Sequence, residues 1–188
     1  MASTAEFRNG FTMRFNGDLW IIVDFQHVKP GKGPAFVRVK LKSLTSGKVV
    51  DNTWPSGHKV DEVRIERRIS QFLYKDDYGY NFMNNDTYEQ VVIPEKLINA
   101  PQFLTEGQEV TIMVLDEDDS PIGVELPANV VLEVVYTEPG LKGDTATNTL
   151  KFATVSSGAE VRIPLFIAQG ERIKIDTATG AYIERAKN

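Results

Sequence analysis

One lysine, Lys32, stands between two glycines that stand between two prolines, in the run Lys29-Pro30-Gly31-Lys32-Gly33-Pro34. An amine can serve as nucleophile, general base or point charge, and its neighbours decide which. A Schiff-base or general-base lysine needs a desolvated pocket to lower its pKa, and Gly31 and Gly33 bring no bulk to build one. They permit backbone angles closed to other residues, while Pro30 and Pro34 fix φ and restrict the residues before them. The pattern predicts a slender, stiffened prong with an ammonium at its tip, ordered before it docks. A phosphate-cradling loop is the rival reading, but GxxxxGK[ST] is absent and no helical pattern follows.

The strand text after the prong carries further charge. Val37, Val39 and Leu41 alternate with Arg38, Lys40 and Lys42. Period-two alternation sends the apolar set inward and spaces the three cations about 6.6 Å apart on the other face. Such a stripe either tracks a phosphate backbone or is a solvated strand face that keeps the protein soluble. The net charge of −5 hides a strong partition. Residues 1–64 hold ten Lys/Arg against six Asp/Glu, residues 65–128 four against thirteen, and residues 129–188 seven against seven. A basic first third beside an acidic middle suits a polyanionic partner met by one end of the molecule.

Other candidates point elsewhere. The absence of cysteine excludes disulfides and thiolate chemistry. His27 and His58 lie far apart with no further zinc ligands evident. Asp116-Glu117-Asp118-Asp119-Ser120 lacks the central glycine and closing glutamate of a calcium loop, and a hairpin turn explains it. No metal or cofactor is expected. Trp20 and Trp54 read as core, and Tyr74, Tyr78 and Tyr80 as packing residues more than stacking ones. MASTAEFRNG lacks the apolar centre of a secretory signal, and no run approaches a membrane span, so a cytoplasmic monomer without membrane contact is expected.

The elements that must position these residues are strands. FTMRF and LWIIVDFQHV meet through Asn16-Gly17-Asp18, a hairpin signal because Asn-Gly readily takes positive φ. AFVRVKLKSL and VVDNTW follow. The middle third reads as three strands, a short helix near Pro94–Leu104 or two turns of one interrupted at Pro101, and two strands, the order of an OB-fold. After Pro127 comes another five-strand set with a long loop over 139–149. The expected architecture is all-β, with three small barrels over 1–64, 65–128 and 129–188.

VKPGKGPAFVRVKL (28–41), FMNNDTYEQ (82–90) and TEPGLKGDTAT (137–147), with the ending VRIPLFI…IKIDTATGAYIERA, together resemble the bacterial elongation factor P family over nearly the whole chain. The resemblance implies a KOW-like (SH3-like) first barrel and two OB-folds in an L shape similar to tRNA. It implies a non-enzymatic translation factor that binds the 70S ribosome beside the peptidyl-site tRNA and relieves stalling at consecutive prolines. Lys32 then stands where the family's prong reaches the acceptor end of that tRNA, and a Lys32-modifying enzyme is a further implied partner. Some relatives with the same PGKGP turn are thought to act unmodified. The loop Gly143-Asp144-Thr145-Ala146, with Lys142 beside it, resembles the family segment that approaches messenger RNA in the exit site. The alternative class is a generic single-stranded RNA-binding or chaperone protein built from OB-folds, which would need no prong.

Overall fold

The computed structural model describes residues 1–140 and 150–187, and among them the regular structure is β-strand with three short 3-10 turns. The first sheet is laid down by alternation and tight turns. It comprises β1 (Ala2–Ser3), β2 (Thr12–Phe15), β3 (Asp18–Val28), β4 (Phe36–Ser43), β5 (Val49–Pro55) and β6 (Lys59–Glu62), in the order β1-β6-β2-β3-β4-β5. Asn16 and Gly17 take φ of 50° and 76° between β2 and β3, the two positive angles that a two-residue hairpin of this hand requires. Val37, Val39 and Leu41 are buried and Arg38, Lys40 and Lys42 exposed, as the alternation demands. Beneath them pack Phe7, Phe11, Met13, Trp20, Ile22 and Trp54. Trp54 meets Phe7 and Phe15 edge-on at 5.7 and 5.3 Å, a geometry aromatic quadrupoles favour. Trp20 Nε1 donates to the Phe15 carbonyl at 2.9 Å, so its buried indole N–H is satisfied.

The second sheet comprises β7 (Ile65–Asp76), β8 (Gly79–Asn84), β9 (Gln90–Ile93), β10 (Glu109–Leu115) and β11 (Pro121–Glu125), ordered β11-β10-β7-β8-β9. Between β9 and β10 the chain makes two separate turns, as the interrupted alternative has it, but both are 3-10 rather than α-helical, Glu95–Leu97 and Pro101–Phe103. Pro101 has no amide hydrogen for an α-helical ladder, and Ala100 before it is non-helical at φ −155° and ψ 63°. The third sheet comprises β12 (Asn129–Thr137), β13 (Leu150–Val155), β14 (Glu160–Pro164), β15 (Arg172–Asp176) and β16 (Tyr182–Arg185), ordered β14-β13-β12-β15-β16.

A surplus residue interrupts the pairing of each sheet: Val23 in β3, Leu73 in β7, and Val135 and Ile183 in β12 and β16. One residue without a cross-strand partner bends and twists its strand, which is how these short sheets curl around their cores. It also explains why Val23, Val135 and Ile183 are exposed although apolar.

The chain divides into two compact units, 1–68 with 113–123, and 69–112 with 124–188. In the first, the Asp116 amide donates to the Arg64 carbonyl at 3.0 Å. There Arg14 reaches Glu117 at 3.2 Å and Asp61 at 3.6 Å, and Arg68 reaches Asp119 at 2.7 Å and Glu66 at 2.8 Å. The acidic DEDDS turn is therefore partly clasped by arginines. In the second unit the Phe103 ring lies against Gly180, where an added Cβ would sit 3.5 Å from it. Tyr80 is buried there, its hydroxyl donating to Glu95 at 3.1 Å. Tyr74 and Tyr78 stand exposed instead of packed.

Candidate nucleic-acid interface

β3 and β4 pair as far as Val28 opposite Phe36, and residues 29–35 extend past that last pair without regular structure. The base is pinned from one side, because the Ser56 amide beyond β5 donates to the Ala35 carbonyl at 3.0 Å. At the tip Gly33 has φ 109°, a region L side chains rarely adopt, whereas Gly31 lies outside it. The Pro30 ring closes over Gly33, its Cγ 3.9 Å from where a Cβ would be. Gly31, Lys32, Gly33 and Pro34 are all exposed. Lys32 makes no hydrogen bond or ion pair with any described residue, and neither does Lys29. The tip is thus an exposed loop presenting the Lys32 ammonium to solvent, not the enclosed, desolvated setting that makes an amine a nucleophile.

The cationic stripe is less pure than the alternation suggests. On the outer face Lys40 lies opposite Asp24 of β3 and Asp51 of β5, and Arg38 opposite Gln26 and Thr53. Two carboxylates therefore flank the middle cation, and the face is a charge mosaic with Arg38 and Lys42 at its ends. Sequence alternation gives the face of each residue but not its cross-strand register, so Asp24 and Asp51 were invisible in it. His27 and Phe25 lie opposite Val37 and Val39 on the inner face, near the prong, and meet edge-on at 5.7 Å and 89°. His27 is exposed there. Lys142, Gly143, Asp144, Thr145 and Ala146 lie outside the described residues.

A node the sequence did not announce holds the opposite end of the same hairpin. Asp18, at the start of β3, accepts from the Leu19 amide at 2.8 Å, from the Ser43 hydroxyl at 2.7 Å, and from the Thr45 hydroxyl. Burial pushes this carboxyl up, but the Thr45, Ser43 and Leu19 donors outweigh it and hold the pKa below the ordinary value. Among the described residues no group of three or more His, Asp or Glu is placed to hold a metal ion. No helix among them is long and apolar enough to cross a membrane.

Comparison with known proteins agrees along the chain. Residues 3–60 match the elongation factor P KOW-like domain, residues 65–124 the elongation factor P OB domain, and residues 130–185 the elongation factor P C-terminal family. The chain is 54% identical to the elongation factor P of Flavobacterium johnsoniae, with all of both chains covered. It is 58% identical to elongation factor P 1 of Porphyromonas gingivalis, again over the full length of both. Among solved structures, a translation initiation factor 5A from Methanococcus jannaschii aligns with TM-score 0.49 and 26% identity, covering 65% of this chain and 86% of that one. A KOW-like segment, two further five-stranded sheets and full-length identity above one half leave a single assignment: the chain belongs to the elongation factor P family of translation elongation factors.

Proposed function

We propose that this protein binds the ribosome beside the peptidyl-site tRNA and relieves stalling at consecutive prolines. The Lys32 finger holds the tRNA acceptor end in line for peptide-bond formation. The observation that carries the reading is Lys32 itself: exposed, free of partners among the described residues, and held beyond the last β3–β4 pair by a loop of two prolines and two glycines. Proline is a constrained nucleophile, so productive alignment of the two tRNA ends is rarely sampled. A preplaced cation against the acceptor-end backbone narrows the misaligned states, which is acceleration by positioning. The peptidyl-transfer chemistry stays with the ribosome.

Arg38, Lys40 and Lys42 supply secondary backbone contacts, and the 142–146 loop meets exit-site messenger RNA. The three sheets act as three domains, the factor works as a cytoplasmic monomer, and Lys32 is the site that a modifying enzyme would extend. Intact mass of the protein purified from its native host reads that modification directly.

Lys32→Ala in a polyproline reporter is the decisive variant. Rescue should fall about tenfold or more, with thermal melting unchanged because the exposed side chain makes no hydrogen bond or ion pair with a described residue. Rescue equal to the parent protein would refute the finger's role.

A further inference from the structure

We propose that the outer face of β13 and β14 is a stacking site for one or two unpaired RNA bases, with Phe152 as the platform and Tyr136 and Arg162 on either side. Phe152 is 55% exposed and Tyr136 58% exposed, a large cost for aromatic rings that serve no partner. Register puts them on one face: Phe152 lies opposite Arg162, and Tyr136 opposite Thr154 one step along. The Arg162 guanidinium sits 4.9 Å from the Phe152 ring centre. It makes no ion pair or hydrogen bond with a described residue, so its donors remain free for a base edge or phosphate.

Two concavities meet at Phe152. One, of about 440 Å³, is shared with Tyr136. The other, of about 700 Å³, runs past Arg162 toward Tyr182 and Phe103. Both fall within the size range of small-ligand clefts, and both are lined by Phe152, one face of whose ring Arg162 covers. β13 and β14 are the second and third strands of a five-stranded set, the face on which OB-folds take oligonucleotides.

The charge of the site selects its occupant. Glu138, Glu160 and Lys151 line the cleft beside Tyr136, the Lys151 ammonium donating to the Glu138 carbonyl at 2.7 Å. A dry protein partner would bury Glu160 and Arg162 at a desolvation cost. A stacked base leaves Glu160 in water and offers Arg162 a polar edge to bond. Nearly balanced local charge also means that affinity comes from stacking, so binding should depend only weakly on salt. A phosphate-tracking surface would behave oppositely. The site does not involve the Lys32 finger, and its test is separate.

The experiment titrates the full-length protein with hexa-adenylate and with an abasic hexamer of the same charge, reading backbone amide shifts by NMR and affinity by anisotropy. Hexa-adenylate should shift β13 and β14 amides, with a salt slope equivalent to about one phosphate. Phe152→Ala should weaken binding about tenfold, Phe152→Trp should preserve it, and both should melt like the parent. The abasic hexamer should leave these amides unmoved. Phe152→Ala binding as tightly as the parent would overturn the proposal, as would equal binding of the abasic hexamer. Shifts of the same amides by an apolar heptapeptide, with none from hexa-adenylate, would overturn it in favour of a protein-docking face.

Discussion

Lys32 needs its glycines unequally. Gly33 sits at φ 109° with the Pro30 ring close by, whereas Gly31 has open space and no left-handed requirement. A Cβ at position 33 therefore strains the backbone, and one at position 31 does not. Gly33→Ala should distort the tip and lower stall rescue severalfold, with Gly31→Ala near the parent value. Neither should shift the melting temperature by more than about 2 °C, because the loop carries no core contacts. A polyproline translation assay paired with calorimetry checks both halves. Equal activity of the two variants would mean that the geometry at Gly33 is incidental. That the chain turns in an exposed loop at 29–34 was legible in the sequence, since proline and glycine state their backbone preferences whatever surrounds them. Which glycine bears the positive φ was not legible.

Among the elements, the β3–β4 hairpin is anchored at its far end by Asp18, whose hydrogen bonds tie the start of β3 to Ser43 and to Thr45 beyond β4. Its folded pKa lies below the unfolded one. The stability it supplies is therefore present in full above the unfolded value of about 3.9 and drains away as pH falls through the folded value. Asp18→Asn should cost about 1 kcal/mol at neutral pH and flatten the acid limb of stability below about pH 4. Urea melts of both proteins between pH 2 and 7 measure this. A difference that persists unchanged at pH 2 would contradict it. Strand identities over most of the sheets were readable because alternation is local. β6, a Lys-Val-Asp-Glu stretch with one buried residue, gave too short a pattern. The helix expected near Pro94–Leu104 resolved into 3-10 turns because proline removes the amide hydrogens a longer helix needs. Asp24 and Asp51 beside Lys40 depend on register, which bulges shift and composition does not record. Phe152 and Arg162 likewise became a pair only once β13 was set against β14.

For the whole molecule, the charge partition acquires structure. Within the first compact unit, Glu117 and Asp119 of the acidic turn are held by Arg14 and Arg68. Arg68 is pushed up by its hydrogen bonds to Glu66 and Asp119, and Glu66 is held low chiefly by its bond to Arg68. These groups are largely solvated, so they fix geometry more than they stabilise. Arg14→Ala with Arg68→Ala should speed hydrogen exchange at residues 113–123 and lower melting by less than about 3 °C. High salt applied to the parent should reproduce part of the exchange effect. Unchanged exchange at these amides would show the clasp to be idle. Val23 has a different consequence. Trp20 and Ile22 turn inward on even numbers and Phe25 and His27 on odd ones, because this one supernumerary residue resets the count. Excising Val23 would leave every cross-strand partnership of β3 intact and straighten the ribbon. Such a deletion mutant should fold and still carry its lysine, melt lower because the straightened sheet wraps its core less closely, and point the lysine the wrong way. The bearing of the finger would then be heritable in a single codon that contributes no contact at the tip.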